Sequence, residues 1–257
     1  MTPARGACCC DVCGTDALSE GQLAYLIGQL PHWRREKTLA LRFVHDRASS
    51  ACAWALVRQT VLEQYGIDVN TLEPTLGPQG KPAFGLNLGL HFNLSHTRGA
   101  ALGAVAGSPV GCDVQTYAEM PMYDEALERH VLHPHEQAVL APLAHDRHRR
   151  ALTLFWAVKE AYTKQLGAGF TIEVRTLDFS RGVRDYLATF PLPVSPNKMR
   201  DDIEDPWGTI ATSPMPFLSH GLWFTLYERG SAVMCACAES PITYITTTRE
   251  ALLTGHL

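Results

Sequence analysis

Two stretches of the chain carry the same pattern, and that repetition limits the folds open to it more than any other feature. Leu90-His91-Phe92-Asn93-Leu94, then Gly99-Ala100-Ala101-Leu102-Gly103-Ala104-Val105-Ala106, is echoed by Leu222-Trp223-Phe224-Thr225-Leu226, then Gly230-Ser231-Ala232-Val233-Met234-Cys235-Ala236-Cys237. Each copy reads as two short strands joined by a tight turn, with small residues dominating the second strand. Chance likeness of two apolar hairpins is the plain alternative. The sharper reading is a duplicated α/β unit, with a cleft between two similar lobes.

Each copy is preceded by a candidate long helix. Ala48 to Tyr65 sets Ala51, Ala55, Leu62 and Tyr65 at helical spacing and ends at Gly66; Arg149 to Leu166 ends likewise at Gly167. The expected architecture is α/β (α+β): a pseudo-two-fold pair of similar lobes, each a small, mostly antiparallel sheet packed with one long helix. The N-terminal lobe is expected over residues 1–118 and the C-terminal lobe over 119–257. Pro191 to Pro216, rich in proline and carrying Asp201, Asp202, Glu204 and Asp205, reads as a long surface loop of the second lobe.

At 257 residues, with 46% apolar and 19% charged residues, the chain can bury a large core and is expected to fold over most of its length. A net charge of −4 gives no general attraction to nucleic acid or acidic membranes, so an anionic ligand requires a local basic pocket. No apolar run approaches the roughly 18 residues of a membrane-spanning helix, and the N-terminus lacks a charged start followed by a long apolar run. A cytoplasmic protein is expected. The eight cysteines, Cys8, Cys9, Cys10, Cys13, Cys52, Cys112, Cys235 and Cys237, match neither a disulfide framework nor paired zinc-binding motifs. The Cys10–Cys13 pair has no second Cys or His pair to complete a zinc site, and small apolar residues of a first strand explain it better.

Chemistry is concentrated in five short segments. Val110-Gly111-Cys112-Asp113-Val114-Gln115 reads as a strand with Asp113 and Gln115 on one face, where a carboxylate and an amide carbonyl suit a hard cation such as magnesium. A solvated aspartate at a strand end fits the same spacing. Trp156, Glu160 and Lys164 are four apart and form one helical stripe, although Glu and Lys at this spacing are also a common surface ion pair. Gly80-Lys81-Pro82 and Asn93-Leu94-Ser95-His96-Thr97 bring a lysine, a hydroxyl and an imidazole toward one loop edge, a combination able to bind phosphate. Trp33-Arg34-Arg35-Glu36-Lys37 adds cations on a segment otherwise readable as a solvated helix face.

In order and spacing, Gly80-Lys81-Pro82, Phe92-Asn93-Leu94-Ser95-His96, Val110-Gly111-Cys112-Asp113-Val114 and Phe155-Trp156-Ala157-Val158-Lys159-Glu160-Ala161-Tyr162-Thr163-Lys164 closely resemble the surfactin-type 4′-phosphopantetheinyl transferases. The resemblance runs from about Arg34 to the C-terminal strands and omits the Pro191–Pro216 loop. It implies a fold of two lobes holding coenzyme A between them, and transfer of 4′-phosphopantetheine to a serine of an apo acyl or peptidyl carrier protein with release of 3′,5′-ADP.

The resemblance further implies metal ligation by Asp113 and Glu160, with Mg2+ as the cofactor. Arg34, Lys37, Ser50, Lys81, Pro82, Ser95 and His96 would bind coenzyme A, and Lys164 would face the pyrophosphate. Glu160 and Lys164 are then the catalytic pair. Glu136 matches a further acidic position near the metal. Gln115 departs from many bacterial relatives, which carry an acid there; it or water would complete the metal shell. A monomer without nucleic-acid or membrane partners is expected. The competing reading is a non-catalytic coenzyme A-binding protein of the same fold. A kinase is disfavoured, because the chain has no GxxxxGK[ST] loop.

Overall fold

The computed structural model describes residues 6–77, 79–84, 88–120, 125–192 and 210–255. Along the chain these form β1 (Ala7–Cys13), α1 (Glu20–Gly28), α2 (His32–Leu39), α3 (Val44–Tyr65), β2 (Thr75–Leu76), β3 (Pro82–Ala83), β4 (His91–Thr97), β5 (Ala100–Ala106) and β6 (Val110–Thr116). Then follow α4 (Glu125–Val131), α5 (Pro134–Leu140), α6 (His145–Leu166), α7 (Ser180–Thr189), β7 (Met215–Ser219), β8 (Leu222–Arg229), β9 (Ala232–Ala238), β10 (Ile242–Thr246) and α8 (Arg249–Thr254).

The duplication is visible in the strand order. One sheet runs β10-β1-β5-β4 and the other β6-β9-β8-β7. Within them β1-β5-β4 corresponds to β6-β9-β8, antiparallel throughout, and each set contains one of the two echoed hairpins. The two long helices, α3 and α6, are both 22 residues and both close on a left-handed glycine, Gly66 at φ 69° and Gly167 at φ 65°. Each begins four residues before the sequence-predicted start, at Val44 and His145, where the opening turn is polar and lacks the apolar spacing that marks the rest.

The sheets do not part at residue 118. β6 pairs with β9 in the second sheet, and β10 crosses back to pair in parallel with β1 in the first. Strand pairing therefore divides between β5 and β6, and the last strand belongs with the first. The expected Pro191–Pro216 loop lies largely outside the described residues; its end, from Met215, is β7, an edge strand paired with β8.

Three apolar layers hold this arrangement. Trp54, Leu56, Val57 and Val61 of α3 pack with Val12, Phe92 and Val105 on the outer face of the first sheet. Leu154, Phe155, Val158 and Ala161 of α6 do the same with Phe224, Leu226 and Cys235 on the second. Between the sheets lie Cys9, Leu102, Ala104, Cys112, Val114, Met234 and Ala236, where small residues alternate with larger ones to fill the space between the two inner faces. Cys8, Cys9 and Cys10 are thus buried strand residues with free thiols, as expected for a first strand. Gly111 is where α6 comes nearest to β6: a Cβ there would stand 2.0 Å from the Ala161 carbonyl oxygen and 2.4 Å from the Gln165 nitrogen. Glycine at this position lets α6 deliver Glu160 and Lys164 beside Asp113.

Candidate active site

The site lies where the two sheets face each other edge to edge. Among the described residues β4 pairs only with β5 and β6 only with β9, so their outer edges meet without a backbone ladder. Side chains two apart on β4, and therefore on one face, make the rungs instead. Asn93 Oδ1 accepts the backbone N–H of Cys112 at 2.8 Å, and Ser95 Oγ accepts that of Val114 at 3.3 Å. The next residue on this face, Thr97, donates its hydroxyl to Glu119 beyond the end of β6.

Asp113 projects from β6 into this seam with a residue exposure of only 1%. Its Oδ1 accepts from Ser95 Oγ at 2.9 Å and from the Lys164 ammonium; its Oδ2 accepts from the Gln115 amide at 2.8 Å. Lys164 also donates to Ser95 Oγ at 3.1 Å. The serine hydroxyl thus donates once and accepts twice, which uses its full capacity. Burial works against the Lys164 charge, but the adjoining Asp113 more than offsets it, and its pKa is raised. Burial raises the Glu160 carboxyl above the ordinary range and the Asp113 charge adds to this, with Lys164 pulling the other way.

A second basic group surrounds His96. Arg34 is buried and donates to Ser50 Oγ at 2.8 Å and Ser50 O at 3.3 Å, while the Thr38 hydroxyl lies 3.0 Å from Ser50 Oγ. Burial lowers the Arg34 pKa to about 10, so it stays cationic at neutral pH. His96 is pushed down to about 4 by burial, then by Arg34, with Lys164 adding and Asp46 opposing, so it is neutral in the free protein.

Other residues implied by the resemblance stand elsewhere. The Lys81 ammonium donates to the carbonyls of Val110 at 2.9 Å, Gln165 at 3.2 Å and Lys164, clamping the C-terminal end of α6 to the start of β6. With all three protons on main-chain oxygens it does not join Ser95 and His96, and Ser95 itself belongs to the shell of Asp113. Pro82 opens β3 after the left-handed Gly80. Lys37 is exposed, over the Trp33 ring at 5.6 Å.

Glu136 is not beside Asp113. It is fully buried and paired with Lys159 at 2.9 Å, and it also accepts the backbone N–H groups of His133 and Phe179 at 2.9 Å each. Lys159 completes this network by donating to the carbonyls of Val174 and Leu177 at 2.7 Å each. The network ties α5 and the segment before α7 to α6. Sequence reasoning missed it, although adjacent Lys159 and Glu160 on one buried helix must point to different sides. Nearby, His133, His135 and Asp178 bring potential ligand atoms within 4.8 Å of one another. Several of their polar atoms serve capping: His133 Nδ1 accepts from His135 N, and Asp178 accepts from Ser180 N and His135 Nδ1.

The donor set of the seam fits a hard divalent cation. Asp113 and Glu160 are carboxylates close enough for one to raise the pKa of the other, a repulsion that a cation bound between them would relieve. Gln115 presents its amide nitrogen to Asp113, and a half-turn of that amide would present the oxygen instead.

Comparison with known proteins agrees with this geometry. Residues 109–191, from the start of β6 past the end of α7, match the family described as the 4′-phosphopantetheinyl transferase superfamily. The 4′-phosphopantetheinyl transferase psf-1 of Bacillus pumilus is 27% identical over 160 residues, 62% of this chain and 67% of the relative. The 4′-phosphopantetheinyl transferase HetI of Nostoc is 27% identical over 154 residues, 58% of this chain and 65% of the relative. The gsp transferase of Aneurinibacillus migulanus is 25% identical over 133 residues, 52% and 54% respectively. The resemblance read from the sequence is borne out, and with it the transferase class.

Proposed function

We propose that this chain, which carries the 4′-phosphopantetheinyl transferase segment, moves phosphopantetheine from coenzyme A to a serine of an apo acyl or peptidyl carrier protein. The observation that supports this reading most is the seam itself. One buried carboxylate, one carboxylate of raised pKa and one lysine kept charged by its neighbour converge there, beside a basic group around His96.

Asp113 and Glu160 would hold Mg2+, with Gln115 or water completing the shell. The ion would neutralise charge on the pyrophosphate of coenzyme A. Lys164, already charged and fixed between Ser95 and Asp113, adds a positive charge where the leaving 3′,5′-ADP accumulates negative charge. The carrier serine oxygen forms a bond to the β-phosphorus as the bond to the bridging oxygen breaks. Glu160 takes the serine proton as general base. Arg34 supplies fixed charge for the 3′-phosphate, and His96 donates a hydrogen bond to it, gaining charge as the anion approaches.

One chain contains both halves of the duplication, so the reading is of a monomer, and the cytoplasm is the compartment proposed for it. Among the described residues no helix is long and apolar enough to cross a membrane. Release of 3′,5′-ADP tests the function. It is expected only when coenzyme A, Mg2+ and an apo carrier are all present. Tight coenzyme A binding with no release for any carrier of a broad panel would favour the binding-protein reading instead.

A further inference from the structure

We propose that Asn93 is a positioning residue for Asp113, acting through the seam between the sheets. The proposal rests on the function given above and deepens it. Cys112, the residue before Asp113, has its backbone N–H on the outer edge of β6, where no strand among the described residues pairs. Cys112 is fully buried, so this donor must find a partner or incur the full cost of desolvation. Asn93 Oδ1 supplies that partner at 2.8 Å from a side chain that is itself buried. Ser95 repeats the contact two residues on, at Val114. The two rungs flank Asp113 and fix the main chain on both sides of it.

The other half of the duplication shows what happens without such rungs. β1 and β6 are equivalent in their sheets, although Asp11 lies opposite Leu102 on the face between the sheets and Asp113 lies opposite Cys235 on the α6 side. Beside β1, β10 fills the edge with a direct parallel ladder, pairing Cys10 with Ile245 and Asp11 with Thr246. Asp11 is fully buried and tied to Arg229 at 2.9 Å and to the Tyr244 hydroxyl. A backbone ladder closes the strand edge of that copy. At β4 and β6, side-chain rungs keep the register while holding the strand edges apart by the reach of a side chain. Asn93 therefore sets where the Asp113 carboxylate sits relative to His96.

The test uses Asn93→Ala, which removes the acceptor, and Asn93→Asp, which keeps one of the same shape. Three readouts are taken on the full chain: amide exchange at Cys112 by NMR, Mg2+ binding by calorimetry, and kcat with KM for coenzyme A. For Asn93→Ala we expect Cys112 to lose protection, Mg2+ affinity to fall about tenfold and kcat to fall with it, the usual scale for an outer-shell partner. KM for coenzyme A should stay within about twofold, since Asn93 touches Asp113's strand rather than the phosphate group. Asn93→Asp should restore protection and Mg2+ affinity. An alanine variant that stays folded, loses Cys112 protection and yet binds Mg2+ as wild type does would overturn the proposal. So would a rise in KM for coenzyme A alone. A wild type that binds Mg2+ and keeps Cys112 protected, but modifies no carrier, would overturn the proposed function and leave the positioning of Asp113 standing.

Discussion

Ser95 Oγ donates to Asp113 Oδ1 at 2.9 Å, across the gap between two sheets that share no backbone ladder. The serine is a strut of the carboxylate site, with its hydroxyl committed on all sides, whereas resemblance alone would make it a phosphate contact. Ser95→Ala should therefore lower kcat and weaken Mg2+ binding while leaving the preference for coenzyme A over 3′-dephospho-coenzyme A intact. His96→Ala should erode that preference. Steady-state kinetics with both substrates separates the roles. Loss of discrimination in Ser95→Ala would return the serine to the phosphate group.

Gln115 contributes a donor to Asp113 but no charge. Gln115→Glu replaces that hydrogen bond with a third carboxylate. Without a divalent cation the variant should melt lower than wild type, because like charges crowd a buried site; with millimolar Mg2+ the deficit should vanish and the half-saturating Mg2+ concentration should drop. Thermal unfolding at several Mg2+ concentrations reads both effects. An unchanged metal requirement would mean that residue 115 stands outside the metal shell.

Lys159 and Glu160 are neighbours with separate tasks. Lys159 is locked into the buried network with Glu136 and two carbonyls. Glu136→Gln leaves that ammonium without its counter-charge and should cost about 3–5 kcal/mol of stability. Molecules that remain folded should keep the wild-type Mg2+ requirement. Chemical denaturation gives the first quantity and Mg2+-dependent turnover the second; a shifted requirement would put Glu136 back at the metal.

His96 gives the fold a pH dependence whose sign is fixed. Its folded pKa, about 4, lies below the unfolded value near 6.5, so the unfolded chain takes up a proton that the folded chain refuses. The stability concerned is fully present above pH 6.5 and is lost as pH falls toward 4, by up to about 3 kcal/mol. Unfolding free energy measured over that window should slope less in His96→Gln than in wild type. Equal slopes would exclude His96 as the source.

Much of this was legible before the structure, for reasons that are local. Gly66 and Gly167 mark left-handed caps because little else tolerates that conformation, and the echoed hairpins declare themselves by turn glycines and small-residue strands. Alternation along β6 puts Asp113 and Gln115 on one face, and the four-residue stripe on α6 brings Lys164 to Asp113. What escaped depends on distant partners. The three carbonyls that take up Lys81 lie 29, 83 and 84 residues away, and Glu136 meets Lys159 only after α5 folds back on α6. The return of β10 to β1 has no signature in either strand, so a division at residue 118 looked natural where strand pairing runs otherwise.

The Asp113, Glu160 and Lys164 seam is proposed to transfer phosphopantetheine, with Glu160 as proton acceptor. Intact-mass spectrometry of an apo carrier incubated with coenzyme A, Mg2+ and the protein addresses it directly. The wild type should add about 340 Da to the carrier, the mass of the phosphopantetheine group carried by the co-substrate, and Glu160→Gln at equal concentration should add it at least about a hundredfold more slowly. No gain with any carrier, or a gain undiminished in Glu160→Gln, would contradict it.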